Sequence, residues 1–154
     1  MSTITINQAL PAFTAQSTQG EISSASLAGT PYVLDFYPRD NTPGCTTQAQ
    51  NFRDLITEFT ALGVQIIGVS RATMSSHTGF AEKQALPFAL ISDPDEQLCE
   101  LFGVMKLKNM YGKKVRGIER SSFLVNADGI LVQEWRGLRV PGHVSQVLEA
   151  ARNL

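Results

Sequence analysis

Cys45 is the residue whose surroundings in this sequence point most directly to chemistry. It follows an apolar run ending at Tyr37, comes directly after a turn containing Pro43 and Gly44, and opens an amphipathic helical pattern. A thiol at a helix start lies near backbone N–H groups that have no partner within the helix, at the positive end of the helix dipole. This position favours the thiolate, which is the reactive form of cysteine. The sequence therefore predicts a nucleophilic thiol.

The helical pattern also predicts the direction in which this thiol points. Cys45 precedes Phe52 by seven residues, or two helical turns, so both side chains are expected on the side of the helix that faces the core. Burial alone disfavours the charged form and raises the pKa of a thiol. A reactive Cys45 therefore requires the helix N-terminus and a nearby cation to outweigh burial.

The elements that must position Cys45 alternate along the chain. Apolar runs predict strands at residues 32–37, 64–70, 87–91, 121–125 and 130–135. Patterns with helical spacing predict helices at residues 46–62, 74–85, 94–102 and 142–153. Early alternation implies parallel strands with right-handed crossovers, and the turn signal at residues 126–129 adds an antiparallel hairpin. We expect one α/β domain, residues 1–154, with a thioredoxin-like fold and a central mixed β-sheet flanked by helices.

Composition excludes several classes of function. The 154 residues carry a net charge of −1, which does not favour nucleic acid or an anionic membrane as a partner. The basic residues before Arg120 are expected to form a solvated loop rather than a nucleic-acid patch; they are Lys106, Lys108, Lys113, Lys114 and Arg116. No apolar run is long enough to span a membrane and the first six residues lack the features of a signal peptide, so we expect a cytoplasmic protein.

The metal-binding residue types are few and dispersed. The two cysteines, Cys45 and Cys99, are too few for a disulfide scaffold. The two histidines, His77 and His143, lie far along the chain from each other and from both cysteines, without the spacing of a zinc site. We therefore expect no metal. His77 is expected on a helix surface, and Asp35, within an apolar strand, is expected to be a hydrogen-bonded structural acid.

The residues around Cys45 resemble the active-site motif of the peroxiredoxins. The pattern is Pro38-x-x-x-Thr42-x-x-Cys45, and the longer run at residues 36–47 is similar to the Q-type branch, the bacterioferritin comigratory proteins. Further similar segments follow in the same order as in that branch, at residues 51–55, 77–83, 86–93 and 117–124. The resemblance covers nearly the whole chain.

The resemblance implies a peroxidase that needs no cofactor. Cys45 would attack a peroxide oxygen and become a sulfenic acid. Thr42 would offer its hydroxyl to the peroxide or thiolate, Arg120 would stabilise the thiolate and the charge developing on the oxygens, and Pro38 would shape the pocket. Taken without the motif, Thr42 would only stabilise a turn, and Arg120 would be an ordinary surface arginine.

The sequence departs from the Q-type pattern where many relatives carry a second, resolving cysteine. Gln50 and Ala81 occupy the two positions at which relatives place that thiol, and Gln48 replaces the usual glutamate. Cys99 is expected at the half-buried edge of an apolar helix face, with a structural role. We therefore expect a one-cysteine cycle in which an external thiol (glutathione with glutaredoxin, or thioredoxin) attacks the sulfenic acid. Relatives of this type imply a monomer or weak dimer.

Three other interpretations compete with this one. A thioredoxin-type disulfide reductase requires C-x-x-C, whereas position 48 is Gln. Glutathione peroxidase shares the fold, but the Thr-Pro-Gly-Cys motif argues against it. A peroxide sensor, which relays oxidation to a partner protein by disulfide exchange, needs the same reactive Cys45 and stays open.

Overall fold

The computed structural model describes residues 4–154, so residues 1–3 of the predicted domain lie outside the described residues. The strands are β1 (Thr14–Ser17), β2 (Gly20–Ser23), β3 (Tyr32–Phe36), β4 (Gln65–Ser70), β5 (Ala89–Ser92), β6 (Met105–Met110), β7 (Lys113–Ile118), β8 (Ser121–Val125) and β9 (Leu131–Arg136). The helices are α1 (Pro43–Asp54), α2 (Ile56–Ala61), α3 (Met74–Lys83), α4 (Gln97–Leu101) and α5 (His143–Arg152).

Seven of these strands form one mixed sheet in the order β2-β1-β5-β4-β3-β8-β9. Strand β3 pairs in parallel with β4 and antiparallel with β8, and β4 pairs in parallel with β5. All five residues of β3 and all five of β8 are buried, because helices or loops cover both faces of the sheet centre. The predicted thioredoxin-like α/β fold with a central mixed sheet is confirmed.

The sheet separates two apolar cores. Successive residues of a strand point to opposite faces, so Val33 packs into one core while Leu34 packs into the other. The first core contains Cys45 and includes Phe52 of α1, together with apolar side chains of α2, α3 and α5. The second contains Cys99 of α4 with Phe36, Phe102 and Phe123. Cys45 and Cys99 therefore lie on opposite sides of the sheet.

The predicted helix at residues 46–62 is two helices in the structure. The break falls at Leu55, whose backbone (φ −104, ψ 8) leaves the helical region between α1 and α2. The apolar spacing continues across Leu55 because both helices pack on the same core, so periodicity alone does not reveal the break. Helix α1 also begins at Pro43, three residues before the predicted start. A proline fits the first turn because the N–H that it lacks would have no helical partner there.

The structure has two hairpins that the sequence analysis missed. One joins β1 to β2, and the other joins β6 to β7 as a separate two-stranded sheet. The second corrects our expectation of a solvated loop at the basic residues. Tyr111 (φ 53) and Gly112 (φ 78) both have left-handed backbone, which is what a tight two-residue hairpin turn requires. Apolar and polar residues alternate only over residues 105–108 and not along β7, so the strand signal was too short to be recognised.

No helix within the described part of the chain is long and apolar enough to cross a membrane.

Candidate active site

Cys45 lies in the first turn of α1 with its side chain 3% exposed. Thr42 caps the helix in an extended conformation (φ −86, ψ 153), and its carbonyl accepts the Thr46 N–H at 2.9 Å. The first turn of α1 contains no acidic residue, so no carboxylate of that turn offsets the positive end of the helix dipole. The thiol is thus buried and lies where backbone N–H groups favour negative charge.

Arg120 supplies the cation that a buried reactive thiol requires. Its Nη2 lies 3.3 Å from Cys45 Sγ, and its Nη1 donates to Gln48 Oε1 at 3.3 Å. Arg120 directly precedes β8, which pairs with β3, so the sheet holds it beside the start of α1. A Cβ built on Gly44 would lie 3.3 Å from Arg120 Nη2, so a side chain there would crowd the guanidinium. The guanidinium therefore places a positive charge in contact with the sulfur.

Gln48 connects Arg120 to a buried carboxyl group. Its Nε2 donates to Asp35 Oδ1 at 2.5 Å, and the Ser122 hydroxyl donates to the same oxygen at 2.9 Å. Burial raises the pKa of Asp35 to about 7, although the Ser122 hydroxyl, the charge of Arg120 and the Gln48 amide all favour the carboxylate. Asp35 is thus a hydrogen-bonded buried acid, two contacts from the guanidinium that touches Cys45.

His143 completes this polar network on the side of α5. Its Nε2 lies 2.8 Å from the Ser122 hydroxyl, which donates its own proton to Asp35. Burial and the nearby charge of Arg120 lower the pKa of His143 to about 4. A neutral imidazole with the proton on Nε2 satisfies this geometry, because the Ser122 oxygen can accept one hydrogen bond while donating another.

The other two predicted site residues lie on the loop between β3 and α1. Thr42 donates its hydroxyl to the Arg39 carbonyl at 3.0 Å, which is a bond within the turn. Pro38 is half-buried, directly after the buried Tyr37. Of the four predicted site residues, Cys45 and Arg120 are in direct contact. No hydrogen bond among the described residues joins Thr42 or Pro38 to the sulfur.

Comparisons with known proteins identify the family. Residues 6–134 match the AhpC/TSA family. The chain is 51% identical over 125 residues to Peroxiredoxin Bcp of Xanthomonas campestris, covering 81% of this chain and 78% of the relative. The chain belongs to the peroxiredoxin family.

Solved peroxiredoxin structures show the same fold. A cysteine-to-serine mutant of PrxQ from Xylella fastidiosa superposes with a TM-score of 0.93 at 35% identity, covering 99% of this chain and 98% of that one. The bacterioferritin comigratory protein of Xanthomonas campestris, studied for its alkyl peroxide reduction activity, gives a TM-score of 0.88 at 43% identity, covering 95% and 98%. The chain is therefore a thiol-dependent peroxidase of the Bcp/PrxQ type.

A second buried polar cluster holds the loop between β3 and α1 against α3. Asp40 accepts hydrogen bonds from the Tyr37 hydroxyl at 2.7 Å, the Ser76 hydroxyl at 2.7 Å and His77 Nδ1 at 2.8 Å. Burial acts to raise the pKa of Asp40, but these donors outweigh it and the pKa is lowered. Asp40 comes two residues before Thr42, so the cluster fixes the backbone that leads into α1.

His77 is fully buried, so our expectation of a position on the helix surface was wrong. Its Nδ1 faces the Asp40 carboxylate, and its Nε2 lies 3.0 Å from the Ile91 carbonyl. Asp40 lies on the loop before α1 and Ile91 lies in β5, so the imidazole ties both segments to α3. The spacing did contain a signal, since His77 lies three residues before the buried Phe80 and so shares its helix face.

Lys108 is a further cation near the site that the sequence analysis did not single out. Its Nζ donates to the Ile118 carbonyl at 2.6 Å, which holds the side chain across the β6–β7 hairpin. Burial and the charge of Arg120 lower the pKa of Lys108, while the charge of Cys45 acts in the opposite direction. The hairpin therefore brings a second positive charge within electrostatic range of the thiol.

Cys99 is fully buried. Our expectation of a half-buried position at the edge of an apolar helix face was wrong. Its backbone N–H donates to Asp93 Oδ2 at 2.9 Å, and burial together with that carboxylate raises the pKa of the thiol. Because α4 packs its inner face against three phenylalanine rings, the apolar side of this short helix is wider than the spacing of its leucines indicated.

Proposed function

We propose that Cys45 is the peroxidatic thiol and that it reduces hydrogen peroxide and organic hydroperoxides. Its thiolate attacks one peroxide oxygen, so that a new S–O bond forms while the O–O bond breaks. The leaving oxygen takes up a proton and departs as water or an alcohol. The sulfur is oxidised by two electrons to a sulfenic acid, and the peroxide is reduced by the same two.

The contact of 3.3 Å between Arg120 Nη2 and Cys45 Sγ is the observation that carries this proposal. The guanidinium stabilises the attacking thiolate and then the negative charge that develops on the leaving oxygen. Gln48 holds the guanidinium through its second nitrogen, so the cation is oriented before the peroxide arrives. Preorganised donors of this kind need no rearrangement during the reaction.

Thr42 and Pro38 act on the peroxide rather than on the resting thiol in this proposal. The Thr42 hydroxyl turns from the Arg39 carbonyl towards the bound peroxide by rotation about χ1, since it lies in the last residue before α1. Pro38 forms the wall of the pocket opposite the helix start. The Asp40–His77 pair keeps both residues in place, because it fixes the loop between them.

We further propose that an external thiol resolves the sulfenic acid. Cys99 is the other cysteine of the chain, and the β-sheet lies between it and Cys45. A disulfide requires Cα atoms within about 7 Å, so joining the two would require disruption of the sheet. Gln50 and Ala81 carry no thiol. Thioredoxin or glutathione with glutaredoxin would supply it. A single domain, cytoplasmic location and a monomer or weak dimer stay predictions from the sequence.

A turnover assay with a panel of thiols tests both halves of the cycle. Wild type, Cys45→Ser and Cys99→Ser are given hydrogen peroxide or an alkyl hydroperoxide with dithiothreitol, thioredoxin, or glutathione and glutaredoxin. We expect wild type and Cys99→Ser to turn over at similar rates and Cys45→Ser to be inactive. Turnover by Cys45→Ser contradicts the assignment of the nucleophile. Stoichiometric oxidation without turnover by any donor would instead favour the peroxide sensor.

Intact mass spectrometry after one equivalent of peroxide distinguishes the two modes of resolution. A one-cysteine cycle leaves a sulfenic acid, or a mixed disulfide once glutathione is added, with Cys99 still reduced. An intramolecular Cys45–Cys99 disulfide would overturn the one-cysteine cycle while leaving the peroxidatic role of Cys45 intact.

A further inference from the structure

The β6–β7 hairpin concentrates the positive charge of a chain that is otherwise acidic. Residues 105–118 contain five of the 13 lysine and arginine residues and none of the 14 acidic residues, although the whole chain has a net charge of −1. The hairpin forms its own two-stranded sheet beside the main one. Such a local field attracts an acidic partner and speeds its association.

The two faces of this hairpin differ in what they contact. The register pairs Lys108 with Val115 and Met110 with Lys113, so Lys106, Lys108, Val115 and Lys113 share one face. Leu107, Lys114 and Arg116 share the other, where Arg116 forms ion pairs with Glu96 and Glu100 beside α4. Glu96 and Glu100 therefore partly neutralise the face that carries Leu107, Lys114 and Arg116, which we call the opposite face. We call the face that carries Lys106, Lys108, Lys113 and Val115 the basic face.

The basic face leads towards the active site and is open to solvent. Lys108 Nζ on this face donates to the Ile118 carbonyl at 2.6 Å, and Ile118 lies two residues before Arg120. Within the described part of the chain no ion pair involves Lys106 or Lys113, and both are exposed. Val115 is exposed between them, and Tyr111, at the hairpin tip, is 99% exposed. An exposed tyrosine is typical of protein interfaces, and the lysines around it supply a positive field that attracts an acidic partner.

We propose that the basic face, with Tyr111 at its tip, is the docking surface for an acidic thiol–disulfide reductase protein that regenerates Cys45. This inference rests on the proposed function, in which an external thiol resolves the sulfenic acid. The face runs from Lys106 to Tyr111 at the tip, five residue steps or about 17 Å along an extended strand. A tripeptide such as glutathione reaches about 10 Å when extended, so the surface fits a protein rather than a small thiol.

A docked partner with two thiols can return the Cys45 sulfenic acid to the thiolate in two steps. One partner thiolate attacks Cys45 Sγ, so that an S–S bond forms, the S–O bond breaks, and the oxygen leaves as hydroxide and is protonated to water. The second partner thiol then attacks the partner's own sulfur in the mixed disulfide and releases the Cys45 thiolate. The two partner thiols are oxidised to a disulfide, and the sulfenic sulfur is reduced by the same two electrons.

Two double variants with equal changes of charge test the surface. K106E/K113E reverses the basic face, whereas K83E/K114E changes α3 and the opposite face of the hairpin. The preformed sulfenic acid of each protein is mixed with an acidic bacterial thioredoxin, and its reduction is followed in a single turnover. We expect the rate constant for K106E/K113E to fall by about tenfold, an effect that weakens as salt is raised, and the control to stay within about twofold of wild type.

Three results would overturn the docking surface. The first is that thioredoxin reduces both variants equally slowly. The second is that it reduces K106E/K113E as fast as wild type. The third is that glutathione reduction of K106E/K113E is slowed as much as its reduction by thioredoxin. The same proteins are also reduced with dithiothreitol, which carries no charge and needs no docking surface. If dithiothreitol does not restore Cys45 in wild type, the proposed function itself fails, which separates that outcome from the failure of the surface.

Discussion

The two cysteines of this peroxiredoxin are equally hidden from solvent but lie in opposite electrostatic environments. Cys45 is 3% exposed and Cys99 is 0% exposed, and both lie in the first turns of helices. Cys45 contacts the guanidinium of Arg120, whereas Cys99 lies beside the carboxylate of Asp93. Burial raises the pKa of Cys99, and the negative neighbour raises it further. Burial is therefore common to both thiols, and the sign of the adjacent charge distinguishes Cys45 from Cys99.

The difference extends to the neighbours of each thiol. Arg120 is held by Gln48, which is held by Asp35, so the cation beside Cys45 has a supporting chain of hydrogen bonds. Asp93 instead accepts the backbone N–H groups of Leu98 and Cys99 and so caps α4. One carboxyl group acts at a distance through a guanidinium, and the other stabilises a helix start directly. Cys45 therefore lies beside a cation supported by buried polar groups, whereas Cys99 lies beside a carboxylate that bonds the first turn of its helix.

Removal of the Arg120 charge should reduce the difference in reactivity between Cys45 and Cys99 more than any other change. Arg120→Met leaves Cys45 buried without a guanidinium in contact with its sulfur, and we expect the rate of its reaction with peroxide to fall by about 10²–10³-fold. Arg120→Lys keeps the charge but loses the forked geometry, so it should recover part of the rate. Oxidation of Cys45 in a single turnover, followed by rapid quenching and mass spectrometry, measures both.

Arg136→Met is the matched control for this substitution. Arg136 lies on the Cys99 side of the sheet, where its guanidinium carbon is 5.0 Å from the centre of the Phe123 ring. Its loss should lower stability without slowing the reaction with peroxide. A rate for Arg120→Met equal to that of wild type would show that Cys45 does not need Arg120 for its reaction with peroxide.

Asp35→Asn tests the buried acid on the Cys45 side. The pKa of Asp35 rises from 3.8 to about 7 on folding, so the folded state holds the proton more tightly than the unfolded chain. This contribution to stability is present at low pH and is lost as pH rises towards 7, by about 2 kcal/mol between pH 5 and pH 7. The asparagine oxygen can still accept from Gln48 and Ser122, so the variant should lack that part of the pH dependence.

Urea unfolding of wild type and Asp35→Asn at the two pH values measures this difference. Every other titrating group is common to both proteins, so the change in their relative free energy of unfolding isolates Asp35. Parallel stability curves for the two proteins would mean that Asp35 is already ionised at pH 5.

The sequence predicts the Cys45 side better than the Cys99 side for a physical reason. Helix-start chemistry and the spacing to Phe52 are local properties of the chain, and they predicted a buried thiol at the start of α1. The contact with Arg120 spans 75 residues, so it came from family resemblance and not from spacing. Thr42 was predicted to face the thiolate or peroxide, yet its hydroxyl bonds within the turn in this structure.

The missed features depend on contacts between distant segments. His77 is polar and lies on a helix with polar neighbours, and its burial follows from Asp40 and Ile91, which belong to a loop and another strand. The β6–β7 hairpin has basic side chains on both faces, because only its base, at Met105 and Ile118, contacts an apolar core. Apolar periodicity reports only on elements that cover a core.

Of the substitutions proposed, Cys99→Ala should have the smallest effect on the reaction with peroxide and on stability. The substitution removes one buried sulfur from the second core, and we expect it to lower the free energy of unfolding by about 1 kcal/mol with peroxidase turnover unchanged. Iodoacetamide applied to the folded protein should modify Cys45 and leave Cys99 unmodified until urea unfolds the chain, because Cys99 lies fully buried beside a carboxylate. Unfolding curves and peptide mapping measure the two effects. Modification of Cys99 in the folded protein at a rate similar to that of Cys45 would mean that burial and the Asp93 charge do not suppress its reactivity, and the electrostatic distinction between the two thiols would then fail.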